Sequence, residues 1–396
     1  MPYESRPRRI DNRSSQAAPK DWSPAWWRDE THFQVAIVGA GFAGLACARV
    51  LASRGISTVL LERKAAPEDN PHTTGILVKE VADEWDVPEE FTKKLHGVRL
   101  YSPSKKFVDL QSPGYYFLAT NVPVMMRWLA DETTAAGATI LPSNPFRGAA
   151  RVRDKFWLES AEITCRFLVG ADGVQSEVSR DFNLGTNRTC LIGVEVEYEG
   201  VRGVEEDLLH CFLDSRLAPG YIGWVIPGVG ITQIGLACQR RGKPELDRFV
   251  DGLTKLFDFR RARIVGRRGG LIPVGGTVRP LGCEDALLVG DAAGLVSPLT
   301  AGGIHTALHF GRRAGQLISD YLMDGGRQPY RALADEIPAF YWKKLLRLGM
   351  NLGLPNPLLN LALGNAAFRS LAQMIFYHHR GLFSPAAWRE TIPSLR

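Results

Sequence analysis

The run Gly39-Ala40-Gly41-Phe42-Ala43-Gly44 narrows most sharply what this 396-residue chain can fold into. It follows an apolar, β-branched stretch, Phe33 to Val38, that reads as a buried parallel strand. It opens a helix from about Phe42 to Arg54, which Gly55 stops. Thr58 to Leu61 then reads as a second buried strand, with Glu62 at its carboxyl end and Arg63 beside it. Strand, glycine turn, helix, strand and acid in this order make a dinucleotide cradle. Gly39 permits the tight turn, Gly41 lets a diphosphate approach the backbone, and Gly44 lets the helix pack on the sheet. Phe42 and Ala43 begin the helix whose free N–H groups and dipole meet the phosphates. Glu62 stands where a carboxylate can accept hydrogen bonds from the adenosine ribose.

This turn alone does not separate NAD from FAD. Two later motifs do. FLVGADGVQSEVSR (Phe167 to Arg180) and ALLVGDAAGLVSPLTAGGI (Ala286 to Ile304) each end a buried strand in Gly and Asp. A carboxylate at a strand's end beside a helix start, as at Gly290-Asp291, is placed to bind a ribityl hydroxyl. FAD is long enough to need such a second anchor. No second G-x-G-x-x-G offers a seat to a resident NAD(P)H, so electrons would come from transient NAD(P)H or an external donor.

In order and spacing, the three motifs resemble the glutathione-reductase-type FAD fold of the aromatic hydroxylase superfamily. Within it, GDAAGLVSPLTAGGI and PGYIGWVIPGVG (Pro219 to Gly230) are most similar to the geranylgeranyl reductase family of flavoproteins. The resemblance runs from about Phe33 to Asp324. It implies that Asp291 binds the ribityl chain or diphosphate, and that Gly302, Gly303 and Ile304 offer helix N–H groups to the flavin's pyrimidine edge. It places Asp172-Gly173 near the diphosphate. Thr74, Gly75, Tyr221, Trp224 and Pro298 would line the substrate cavity. Many members carry a Cys-Gly pair before the flavin; here His72-Thr73-Thr74-Gly75 stands there, and His72 becomes the candidate proton donor. Lys79, with Trp224, Ile226 and Pro227, half-matches a halogenase pattern, but reads better as a solvated lysine.

The chain is long enough for more than one domain. The expected class is α/β: a discontinuous Rossmann-type FAD domain (31–96, 122–186, 270–325) with an inserted antiparallel β-sheet substrate domain (97–121, 187–269). A polar N-terminal tail (1–30) precedes it and a helical region (326–396) follows. Six scattered cysteines without a C-x-x-C pair read as reduced thiols, and no metal-ligand spacing is evident. A net charge of +6 without a basic block argues against nucleic acid. No run of eighteen apolar residues exists, which points to a cytoplasmic protein. The stretch 341–380 is leucine-rich and carries Lys343, Lys344, Arg347, Arg369 and Arg380 but no acid, as peripheral contact with anionic lipid would need. An ordinary helical cap packed on the body fits it slightly better.

These readings converge on an FAD-dependent reductase in which reduced flavin passes hydride to a C=C bond of an apolar, prenyl-like or lipid substrate. A flavin monooxygenase, hydroxylating or halogenating a small aromatic or polyene, is the alternative. A flavin-binding protein without turnover is the third reading.

Overall fold

The computed structural model describes residues 31–377. The proposed N-terminal tail and Arg380 lie outside them, as does the end of the helical region. The dinucleotide cradle forms as its residues dictate. Strand Thr31–Val38 lies parallel between Thr58–Leu61 and Ile163–Gly170, and Ile163–Gly170 pairs in turn with Ala286–Leu288. Thr139–Leu141 closes the far edge beside Thr58–Leu61. The inner stretches, Val35–Val38, Thr58–Leu61 and Ala286–Leu288, are buried on both faces, which explains their uninterrupted apolar runs.

Helix Phe42–Ser53 covers one face of this sheet, and the long helix Ile304–Asp324 lies against it. The two helices meet backbone to backbone. A Cβ on Gly311 would stand 2.5 Å from the Ala43 carbonyl oxygen, and one on Gly315 2.7 Å from that of Cys47.

The second sheet has seven strands, in the order Arg263–Pro273, Cys190–Glu199, Thr232–Gln239, Gly223–Pro227, Leu208–Phe212, Gly97–Tyr101 and Phe107–Gln111. Its pairings are antiparallel except one: Gly97–Tyr101 runs parallel to Leu208–Phe212. The two strands are separated by more than a hundred residues, so no hairpin constrains their direction. One face is sealed by helix Leu246–Leu253, whose Phe249 and Leu253 pack with Val225, Ile234 and Leu236. The other face looks toward the cradle.

A three-stranded sheet of Ile76–Val78, Phe117–Thr120 and Thr92–Leu95 sits alongside. Sequence patterning did not separate it from the seven-stranded sheet. Helices Tyr341–Leu352, Asn356–Ala362 and Ala366–Tyr377 form a roof. Leu363, Ala372 and Tyr377 pack on Val98, Leu110 and Phe117, and the Tyr377 hydroxyl donates to the Leu110 carbonyl at 2.6 Å. No helix among the described residues is long and apolar enough to cross a membrane.

Candidate functional site

One cavity of about 860 Å³ runs between the cradle, the seven-stranded sheet and the roof. The glycine turn shapes its floor. Gly39 has φ +101°, and a Cβ there would lie 2.5 Å from the Ala171 carbonyl oxygen. A Cβ on Gly44 would sit 2.0 Å from the Gly39 oxygen. Both glycines are therefore demanded by the protein's own packing. Gly41 differs: a Cβ on it meets nothing within 4 Å. Its bareness serves whatever comes to lie in the cavity.

Helix Phe42–Ser53 starts at this wall with Gly41 as its N-cap and no side-chain cap. Helix Ile304–Asp324 starts at the same wall, likewise uncapped, with Gly302, Gly303 and Ile304 in the lining. Two long helices thus direct unpaired N–H groups and the positive ends of their dipoles into one space. Two electron-rich ligand groups a fixed distance apart would satisfy both.

Gly290, Asp291 and Gly173 also line the wall. Asn187 Nδ2 donates to the Asp291 carbonyl at 2.9 Å and holds that corner. Burial pushes the Asp291 carboxyl up to about 6. Such a carboxylate gains from hydroxyl donors that would restore its lost hydration.

Other expected residues lie elsewhere. Glu62 is buried behind the turn, where its oxygens accept from Ala40 N at 2.9 Å and Lys64 N at 3.0 Å; it braces the turn from below. Arg63 is exposed and does not line the cavity. Its neighbour Lys64 does, and its amine donates to the carbonyls of Pro67 and Asp69. Asp172 accepts from Glu177 N at 2.6 Å and Val178 N at 3.1 Å, starting a short helix outside the cavity. Pro298 is buried but is not part of the wall. Lys79 is paired with Asp83 at 2.8 Å, away from the cavity, so it cannot serve as a halogenase lysine.

The opposite wall holds Thr74, Gly75, Tyr221, Trp224 and His72. His72 Nδ1 donates to the Gly269 carbonyl at 3.1 Å, which leaves Nε2 as the nitrogen that could exchange a proton. Beside it stands a charged pair that sequence reading missed. Arg268 forms an ion pair with Glu195 at 2.9 Å, bonds Glu197, and donates to the Thr73 carbonyl at 2.9 Å. Trp224 Nε1 donates to Glu195 at 2.8 Å, and Gln233 donates to the Thr74 carbonyl at 2.9 Å. Burial pushes the Glu195 carboxyl up against the pull of Arg268. The network fixes the 72–75 loop to the sheet.

Most of the remaining wall is apolar, supplied by Ile76, Leu209, Ile226, Met350, Phe368 and Ile375 among others, with Asp214, Ser215 and Thr300 as polar exceptions. Cys211 lines it too, but burial pushes its thiol up to about 12, so it carries no thiolate chemistry. All six cysteines are free. Away from the cavity, Glu84, His305 and His309 bring their ligand atoms within 4.8 Å, a grouping hidden in sequence by 220 intervening residues. Arg312 already contacts Glu84 there at 3.2 Å.

A parallel sheet with a glycine turn, a second uncapped helix start and an apolar chamber over both define an FAD-dependent oxidoreductase. Residues 32–248 match the FAD binding domain family. The chain belongs to the geranylgeranyl reductase family of flavoproteins. It is 30% identical over 317 residues to digeranylgeranylglycerophospholipid reductase 1 of Methanothermobacter thermautotrophicus, covering 74% of this chain and 79% of that one. It is 30% identical over 318 residues to digeranylgeranylglycerophospholipid reductase 2 of Methanopyrus kandleri, covering 73% and 77%. In fold it is similar to a geranylgeranyl bacteriochlorophyll reductase-like protein of Thermoplasma acidophilum, with a TM-score of 0.76 at 22% identity over 92% of this chain and 98% of that one. A flavin-dependent brominase shares the fold with a TM-score of 0.66 at 16% identity, covering 92% and 99%.

Proposed function

We propose that this protein reduces a C=C bond in an apolar, prenyl-like lipid. The observation that carries the reading is the chamber itself, a predominantly apolar space with two uncapped helix starts at its floor. Gly41, Phe42 and Ala43 would hold the FAD diphosphate, Asp291 the ribityl chain, and Gly302, Gly303 and Ile304 the pyrimidine edge. FAD, when bound and reduced, supplies the hydride. The protein's part is to orient the substrate, exclude water and hold a proton. His72 Nε2 is our assignment for that proton, with Glu195 as the buried group next to the same loop. The relatives named as prenyl-lipid reductases support this substrate class.

The roof suggests how such a lipid arrives. Its basic residues were expected to face anionic lipid; Lys344 and Arg369 are exposed, but Lys343 and Arg347 are turned inward, at 7% and 3% exposure. Tyr341, Leu345, Leu348, Leu352 and Leu361 are turned outward instead, each more than half exposed. We assign this leucine face to peripheral contact with the bilayer, driven by apolar burial more than by charge.

The test is anaerobic. The FAD-loaded protein is reduced with NAD(P)H or dithionite and mixed with polyprenyl lipids. Reoxidation accompanied by a product two hydrogens heavier supports the reading. Reoxidation only by air, with an oxygenated product, would replace reduction by monooxygenation.

A further inference from the structure

We infer that Glu84, His305 and His309 form a site for a divalent transition-metal ion, Zn²⁺ or Ni²⁺ in kind, outside the chamber. Two elements supply the three side chains. Helix Lys79–Glu84 ends in Glu84, and His305 and His309 stand four residues apart, so one face of helix Ile304–Asp324 carries both imidazoles. His305 Nε2 lies 3.5 Å from one Glu84 carboxylate oxygen, and His309 Nδ1 lies 3.4 Å from the other. Those separations are long for hydrogen bonds, which usually span about 2.7–3.2 Å. They fit the edge of a coordination tetrahedron better, because metal bonds of about 2.0–2.1 Å place neighbouring ligand atoms roughly 3.3–3.4 Å apart. The three ligand atoms all lie within 4.8 Å of one another. Two imidazoles and a carboxylate suit zinc, nickel, cobalt or copper, and not calcium or magnesium, which take oxygen ligands. Glu84 and His305 are half-buried while His309 is exposed, so an ion can enter from solvent and keep water as a fourth ligand.

A plain ion-pair network is the competing account, since Arg312 also reaches Glu84, at 3.2 Å. The Arg312 guanidinium has a second resting place over the Trp85 ring, at 5.7 Å. It acts as a competitor that an arriving dication displaces. The position of the site gives it a consequence. From the His72–Gly75 loop in the chamber wall, the chain runs through strand Ile76–Val78 straight into helix Lys79–Glu84. His305 directly follows Ile304, which lines the same chamber, yet none of the three ligands lines it. A bound ion therefore pins the segment that carries the loop to the helix that begins at the chamber wall, and touches neither cofactor nor substrate. The site does not depend on the proposed function.

The experiment titrates tag-free, EDTA-treated, FAD-loaded protein with Zn²⁺ alone by calorimetry. The parent carries His378→Ala and His379→Ala, which removes the other paired histidines of the sequence. One equivalent should bind saturably. His305→Ala and His309→Ala should each weaken binding by at least about tenfold, with flavin content and circular dichroism unchanged. Should His305→Ala lose flavin, the exposed His309→Ala carries the test. Arg312→Gln should tighten binding by about three- to tenfold, because it removes a charge from beside a ligand. Saturating Zn²⁺ should raise the Tm of the parent by at least about 3 °C and leave that of His309→Ala unmoved. Binding that survives His305→Ala with His309→Ala would place the ion elsewhere and overturn the inference. No gain in Arg312→Gln, or no saturable binding below about 100 μM Zn²⁺, would overturn it as well.

Discussion

The floor and the roof of the chamber are built on opposite terms. At the floor, backbone meets backbone: Gly39 and Gly44 are pinned by the protein's own atoms, and a Cβ on Gly41 would meet none of them. At the roof, side chains decide: Lys343 and Arg347 turn inward, while Lys344, Arg369 and a row of leucines turn outward. The floor awaits partners for its helix-start N–H groups and for the Asp291 carboxyl. The roof leaves the Arg347 guanidinium without a hydrogen-bond partner among the described residues. A cofactor seat can be made of backbone dipoles; a changing substrate is met by side chains.

The sharpest way to break this comparison is Gly41→Val. No atom of the protein lies within 4 Å of the new Cβ, so the fold should survive while FAD affinity falls by roughly three orders of magnitude, about 4 kcal/mol. Flavin absorbance after gel filtration, beside circular dichroism, reads both. Retained flavin would show that the turn is not the diphosphate seat.

Arg268→Met tests the wall between floor and roof. It strands Glu195 as an unpaired buried carboxylate, and should lower unfolding free energy by about 3 kcal/mol. Glu195→Gln should cost much less, because Arg268 keeps Glu197 and the Thr73 carbonyl. Equal losses in the two variants, measured by urea titration, would remove the asymmetry.

Asp291→Asn comes next, with FAD affinity down by about tenfold. The sign of the pH effect follows from the raised carboxyl. With its pKa pushed up to about 6, the proton is held more tightly in the folded chain than in the unfolded one. Its contribution to the stability of the cofactor-free protein is therefore fully present below the ordinary carboxyl range and is lost as pH rises through 6. Hydroxyl donors from the cofactor favour the ionised form, so FAD binding should release a proton and weaken as pH falls below 6, by at most about tenfold per unit. Calorimetry in buffers of different ionisation enthalpy reads that proton. A flat profile, or one that survives in Asp291→Asn, would separate Asp291 from the cofactor.

The smallest effect belongs to the roof's outer face. Leu345→Ser with Leu352→Ser should leave stability within about 0.5 kcal/mol while reducing sedimentation with phospholipid vesicles. A large stability loss would mean these leucines are covered by something in the isolated protein.

The floor was legible in the sequence because buried parallel strands are written as continuous apolar runs and glycine turns leave few alternatives. Helix and strand expectations from Phe33 to Leu61 and from Ala286 to Asp324 lie within a residue or two of the structure. Glu195 escaped notice for a physical reason. GVEVEYEG alternates valine with glutamate, which normally means valine inward and glutamate to solvent. Here both faces are covered: helix Leu246–Leu253 seals the valine side, and the glutamate side looks into the chamber, where Arg268 stands directly opposite Glu195 in the neighbouring strand. Cross-strand partners seventy residues apart leave no mark on local patterning. The roof misled in a similar way. Composition gave its basic character correctly, but not that the helix would turn Lys343 and Arg347 inward.

The glycine joint between helices Phe42–Ser53 and Ile304–Asp324 has a consequence for how the cofactor is measured out. Gly311 and Gly315 lock the second helix to the first by main-chain touch, and the two helices begin where the diphosphate and the flavin's pyrimidine edge would rest. The interval between the two resting points is thus set like the jaws of a caliper before any ligand enters. A dinucleotide whose diphosphate and flavin edge lay further apart would satisfy one jaw but not both, so the joint would select by span, using two glycines that never touch what they select.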